Sequence, residues 1–532
     1  MDTRVHSEQM HLTKGTGDKQ LRLALTISGA VALGAFEGGV LAALISAIRP
    51  LCQGEQPSVR LDAIGGASAG SITGLLAARC LTGGIDPVEV MKEAWVNRDS
   101  IQRLLLTTGD SPLSSQKLRK MARDLVDPAR MKPVDGFQTE PVRLSMTLAC
   151  LRGLEYTLRS LSSRGPITAT TFVDLRSVNI TTEQSPESFV TPRFASPVDV
   201  ALASGANAVG FPPAVLDCTA VEQEYADRGI APQPSDLWYT DGGTLDNEPL
   251  GHTLDLVGEI DEHAGDNVTR LHVLIHPHPA GGPTGDSWAA PGRAPTWLET
   301  LFRAQHLQRT QSLYDDLRRV EKTNSHIIWL NRLDDMLGSF ATGLCDTDRA
   351  NLTSALRQML QSMDADVASF SPDSPETPVR GNDPQTLLYE AVSRIAGVSG
   401  KQCVAMEVIS PLVLADRGNA SVGDMLAGEV LGHFGGFFDK RLRLSDFDLG
   451  YACALDWLEA GGLTAHDLDP ELGETALQSA RNAYTPEDRW IEFGNTSVLK
   501  IMLRHPLAFV GLIAQMVRVV VQDLLTWPLH RQ

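Results

Sequence analysis

Ser68 stands in the run Gly66-Ala67-Ser68-Ala69-Gly70, a G-x-S-x-G arrangement. Such a serine sits on a sharp turn between a strand and a helix, its hydroxyl lifted out of the sheet. The flanks fit: 61–64 is a short apolar run that reads as a buried strand, and 71–78 is rich in helix formers. Small residues on both sides of the turn are needed because a Cβ there meets neighbouring backbone. At the start of the helix, exposed N–H groups and the macrodipole favour developing negative charge. The chemistry indicated is acyl transfer. A hydroxyl becomes nucleophilic only when a base takes its proton. One candidate base is Asp241, in Tyr239-Thr240-Asp241-Gly242-Gly243, with Asn247 and Pro249 just beyond. Gly242 and Gly243 permit close backbone approach beside the carboxylate, although an Asp-Gly-Gly run alone fits a plain surface turn better.

These residues need a scaffold that brings them together. Residues 21–28 read as a strand, 29–34 as a glycine-rich turn and 35–48 as a helix stopped before Pro50; 61–65 and the serine turn repeat the pattern. Strand–turn–helix twice in succession predicts an α/β sheet with parallel strands. Further strands are expected at 142–150, 155–159, 172–178, 270–276, 327–330 and 402–409, the last returning to the main sheet. Helices are expected at 87–97, 115–126 (capped by Ser114 or Ser115), 198–208, 298–322 and 351–367. The runs 281–296 and 369–383 read as loops.

Three runs together resemble the patatin-like phospholipases, of the bacterial type with a C-terminal extension: Gly66–Gly70, Asp241–Gly243 with Asn247 and Pro249, and Ser204-Gly205-Ala206-Asn207-Ala208-Val209-Gly210-Phe211-Pro212-Pro213. The resemblance spans about residues 20–280. It implies a patatin-like sheet sandwiched by helices, an α/β fold, with a largely helical C-terminal region. It implies a Ser68–Asp241 dyad hydrolysing the acyl esters of lipids, in the manner of a phospholipase A or lysophospholipase. The family's first motif, G-G-G-x-R-G, corresponds to Gly29-Ala30-Val31-Ala32-Leu33-Gly34. Two glycines and the basic residue are replaced, yet backbone N–H donors persist, and the oxyanion groups expected are those of Gly29, Ala30, Val31 and Ala69. Two alternatives stay open: a soluble esterase or thioesterase, and a catalytically silent lipid-binding or scaffold protein that keeps the fold.

Composition bounds the rest. At 532 residues the chain exceeds what one core usually serves. The expected division is a disordered segment over 1–19, a hydrolase domain over 20–335 and a mostly helical region over 336–532. A formal charge of -19 opposes nucleic-acid binding. Seven dispersed cysteines without a C-x-x-C pair fit a reducing compartment, and the N-terminal segment has no apolar signal core, so a cytoplasmic location is expected. No cofactor and no metal are expected: no calcium-loop pattern occurs, and His276 and His278 lack further ligands. The pair is expected to be satisfied at a loop end. Asp246 reads as a turn residue or an assistant to the base, and Glu37 as an orienter of the oxyanion turn or a solvated helix position. No run of eighteen apolar residues occurs, so no spanning helix is expected. Residues 506–527 form a mostly apolar helix with a narrow polar stripe. A helix buried in the domain or at a dimer contact is the favoured reading, and attachment to a membrane surface is the functional one. The oligomeric state stays open.

Overall fold

A computed structural model describes residues 20–98, 100, 104–105, 111–158, 167–189, 196–261, 268–278, 297–341, 343, 345–370, 383–398, 403–414, 422–429, 433–493 and 497–526. The expected disordered segment 1–19 and the loop 281–296 lie outside the described residues, as does most of 369–383.

The strands are β1 (Gln20–Ile27), β2 (Val59–Gly66), β3 (Val142–Leu158), β4 (Ile167–Ile180), β5 (Ala214–Asp217), β6 (Asp236–Asp241), β7 (Val268–Ile275) and β8 (Ala405–Ile409). They form one mixed sheet in the order β5-β6-β3-β2-β1-β7-β8, with β4 paired to β3. The centre is parallel: β1 pairs β2 and β7, β2 pairs β3, and β7 pairs β8. β4 and β6 run antiparallel to β3, and β5 antiparallel to β6. Central strands buried on both faces read as unbroken apolar runs, which is why β1 and β7 were plain in the sequence. The expected stretches 142–150 and 155–159 fall, as far as Leu158, on one strand, bent by an irregularity between Ala149 and Leu154 where Gly153 takes a φ of 84°.

The helices that matter here are α1 (Gly34–Ile48), α2 (Ala69–Gly83), α3 (Pro87–Lys92), α4 (Ser115–Leu125), α5 (Pro197–Ser204), α6 (Leu250–Asp261), α7 (Trp297–Ala341), α8 (Asp346–Phe370), α9 (Pro384–Ile395), α10 (Lys440–Glu459), α11 (Pro470–Ala483), α12 (Val498–Arg504) and α13 (Pro506–Thr526). Ser114 caps α4, accepting from the Lys117 N–H at 3.2 Å. Every residue of α1 is buried. It packs against α10. The two cross where Gly39 and Gly450 remove side chains: a Cβ on Gly39 would lie 2.1 Å from the Phe447 carbonyl oxygen, and one on Gly450 2.0 Å from that of Phe36. The last third of the chain thus closes the core of the first, and β8 adds a strand to its sheet.

One expectation is corrected. Residues 327–330 are not a strand but part of α7: Ile327 and Leu330, three apart, are buried, while Trp329 is 76% exposed. By length and composition two helical stretches match a membrane span, Val31–Leu51 and Pro506–Asp523, against the expectation of none. The first is 94% buried as the core helix; the second is only 11% buried.

Candidate active site

β2 ends at Gly66 and α2 begins at Ala69, so Ser68 occupies the turn between them. Its backbone sits at φ 50°, ψ −118°, a sparsely populated region for a residue with a side chain. Such strain costs about 1–3 kcal/mol and persists where the surroundings over-determine it. Here the Ser68 N–H donates to Ser204 Oγ at 2.9 Å, and the Ser71 hydroxyl bridges Ser204 Oγ and the Gly66 carbonyl, each at 2.8 Å. Gly70 abuts β1: a Cβ there would stand 2.4 Å from the Ile27 carbonyl oxygen. Gly66 in turn faces Gly70 across the bend.

β6 delivers Asp241 to the same place. The Ser68 hydroxyl donates to Asp241 Oδ2 at 3.1 Å, both groups buried. Three more bonds fix the carboxylate and its backbone. Asn207 Nδ2 donates to Oδ2 at 3.1 Å, the Gly243 N–H to Oδ1 at 2.9 Å, and the Asp241 N–H to the Ala206 carbonyl at 3.1 Å. Gly242 packs on Thr147, where a Cβ would meet the carbonyl oxygen at 2.1 Å. Asn207 comes from the loop after α5, and its sequence context is a small-residue run that does not single it out. An amide amid alanines and glycines is the only signal for it.

The turn after β1 lies over the serine. A Cβ on Gly29 would be 3.1 Å from Ser68 Cβ. Gly29 departs from its expected role. Its N–H donates to the Asn247 carbonyl at 2.8 Å, and Asn247 Nδ2 returns a bond to the Gly29 carbonyl at 3.0 Å, so Gly29 is a clamp point and not a donor to substrate. Among the described residues the N–H groups of Ala30, Val31 and Ala69 have no hydrogen-bond partner. Val31, standing where a third glycine was expected, takes a φ of 53°. The far side of the turn is tied to the C-terminal third by the Ala32 N–H donating to the His433 carbonyl at 3.1 Å.

Glu37 is fully buried beneath this turn, and the Ser28 hydroxyl donates to its Oε1 at 3.2 Å. Burial drives its carboxyl well above the usual range, which removes the solvated alternative. His276 and His278 bond neither Ser68 nor Asp241. His276 Nε2 faces Glu248 Oε1 at 3.0 Å, and its Nδ1 accepts from the His278 N–H at 2.7 Å. The Nε2 therefore carries the proton and donates. Glu248 Oε1 also accepts from Asn247 Nδ2 at 2.6 Å, so the pair supports the Gly29 clamp from behind. Asp246 closes a turn to the Gly242 carbonyl and lies 3.4 Å from His252 Nε2. Burial, then Asp316 and Glu248, push its carboxyl up to about 7.

Ser68 opens onto a cavity of about 850 Å³, counting its open mouth. Leu75, Trp95, Leu125, Val198, Leu202 and Phe437 line it, and Ser68 and Asn207 are its chief polar groups. That is an apolar slot with a serine hydroxyl at one wall, the hydroxyl bonded to a buried carboxylate behind it. Among the described residues no cluster of His, Cys, Asp or Glu has the makings of a metal site.

Residues 25–254 match the family model for Patatin, described as patatin-like phospholipase. No curated protein matches the chain. Among solved structures the chain is similar to a crystal structure of VipD from Legionella pneumophila, at 12% identity over 89% of this chain and 92% of that one, with a TM-score of 0.23.

Proposed function

We propose, from the match of residues 25–254 to the patatin-like phospholipase model, that the chain hydrolyses acyl esters of lipids, phospholipids or lysophospholipids, through Ser68 and Asp241. The observation that carries the reading is the 3.1 Å bond from Ser68 Oγ to Asp241 Oδ2 at the wall of an apolar cavity. Asp241 takes the hydroxyl proton as Ser68 Oγ adds to the ester carbonyl. The N–H groups of Ala30, Val31 and Ala69 stabilise the oxyanion. The alcohol leaves with the proton from Asp241, and the acyl group remains on Ser68. Asp241 then activates water, whose attack frees the fatty acid and restores the hydroxyl. Asn207 and the Gly243 N–H hold the carboxylate in line throughout. The cavity takes the acyl chain, since little else in it would repay the desolvation of a polar group. A soluble esterase would use the same atoms on shorter chains.

The experiment is labelling by a fluorophosphonate probe beside hydrolysis of a lysophospholipid and of a short soluble ester. Ser68→Ala abolishes labelling and both activities. Asp241→Asn lowers both activities nearly as far, and the double variant is no worse than either single one, because the pair acts as a unit. Wild-type turnover by a folded Ser68→Ala protein defeats the assignment. One observation favours a second reading, a silent lipid-binding protein: Val31 at positive φ in the turn where the family has glycine. That reading expects no labelling of Ser68 at all.

A further inference from the structure

Helix α13 is packed inside out. Its polar stripe does not face solvent. Gln515 is buried, and Arg518 Nε and Nη1 donate to Gln515 and Gln522, each at 3.2 Å. Ala508, Phe509 and Leu512 share the inner side and join an apolar cluster with Phe438, Leu442 and Ile501. Phe438 and Phe509 lie 5.3 Å apart, centroid to centroid. The opposite side carries Leu507, Val510, Ile513, Val517, Val520 and Val521 into solvent; Leu507 is 87% exposed and Val510 64%. At 1.5 Å per residue this stripe runs about 21 Å. α12 extends it with Leu499 and Leu503, the latter 74% exposed. Contiguous apolar surface on this scale marks an interaction site.

Two features identify what covers it. The first is charge. In a chain of net charge -19, residues 497–526 hold Lys500, Arg504 and Arg518 against the single acid Asp523. Lys500 and Arg504 are both exposed beside the stripe. The second is continuity with the cavity. The cluster beneath α12 and α13 also takes in Val31, Leu118, Phe211, Phe434 and Phe437, each of which lines the slot at Ser68. An apolar surface with a cationic edge, backed by the same side chains as a lipid-sized slot, suits the boundary of an anionic bilayer.

We propose that α12 and α13 form a docking face for anionic lipid bilayers, with the helices lying in the interface and the slot beside them receiving an acyl chain. The helices lie on the bilayer and do not cross it, because their inner side is held by the aromatic cluster and only the outer side is free. Delivery to the slot rests on the hydrolase reading above; docking itself does not.

The test uses the full chain. Wild type co-sediments with vesicles of phosphatidylcholine and phosphatidylserine. It binds less with added salt and less to phosphatidylcholine alone. The double variant Val510→Glu, Val517→Glu loses binding by about tenfold or more, since two charges enter the apolar contact. Hydrolysis of vesicle phospholipid falls in step, while turnover of a short soluble ester stays within about twofold. Leu503→Glu with Leu507→Glu is the second variant, should the first lower the thermal melt. Equal vesicle binding by wild type and both variants overturns the proposal. So does a wild-type protein that ignores vesicles and is a dimer by light scattering, made monomeric by the same changes; the face would then join two copies. If no form hydrolyses any ester, yet wild type binds vesicles and the variants do not, docking stands and the hydrolase reading falls.

Discussion

At the scale of single residues, the site depends on groups whose role is to hold others. Glu248 never reaches Ser68, but its Oε1 carries both Asn247 and His276, and Asn247 grips the Gly29 turn on both its N–H and its carbonyl. Glu248→Ala should lower kcat by about tenfold to a hundredfold with little change in KM, because donors to the oxyanion lose their placement. Glu248→Gln keeps an oxygen for both donors and should stay within about threefold of wild type. Steady-state kinetics on a soluble ester separate the two, and equal loss in both variants would refute the positioning role. Ser68 and Asp241 were legible because each lies in its own short run of glycines. Glu248, Ser204 and His433 were not, since His276, Ser68 and Ala32, which they meet, lie 28, 136 and about 400 residues away, a distance in sequence that no local pattern encodes.

At the scale of elements, period and run length read well wherever one side of an element is wet or a strand is short and wholly buried. They failed where the two signals overlap. Four apolar-leaning residues at 327–330 look like a strand, yet only Ile327 and Leu330 turn inward, as a helix requires. α10 is buried on most sides, so no polar face announced its place against α1. That contact depends on two glycines. Gly450→Ala gains about 1 kcal/mol of helix propensity but sets a Cβ 2.0 Å from the Phe36 carbonyl oxygen. The overlap is with backbone, so the helices must part, and we expect a net loss of about 2 kcal/mol or more, measured as a lower urea midpoint with unchanged slope. β7 supplies a pH test. His272 is buried in it, and burial, with a smaller push from Arg270, lowers its pKa to about 3. The unfolded chain binds this proton below pH about 6.5 and the folded chain does not, so stability is full above that pH and falls as pH drops toward 3. The slope from this one group is about 1.4 kcal/mol per pH unit, and His272→Leu should flatten the urea midpoint over that window.

At the scale of the whole molecule, the family match ends at residue 254, but the fold does not. β8 completes the sheet beside β7, α10 covers α1, and the loop at His433 ties down Ala32. A chain ending at residue 335 keeps Ser68, Asp241 and Asn207 but loses all three supports. We expect it to be insoluble or to lack a cooperative thermal transition, because a helix buried on every side would face water. A soluble truncation with wild-type turnover would show that the last third is dispensable. This dependence was hidden in the sequence, where the end of the chain reads only as a series of helices.

The crossing of α1 by α10 also sets an order of events during synthesis. The two glycines at the contact are 411 positions apart, Gly39 and Gly450. At about 5–20 residues per second, a ribosome needs roughly 20–80 s to pass from one to the other. For that interval α1, the most apolar of the described helices, exists without its cover, and the turn above Ser68 lacks its tie to His433. The nascent chain should therefore be a client of chaperones, and ester hydrolysis should appear only on ribosome release. If the proposed activity holds, a partly made chain would be inert toward the lipids of the cell making it.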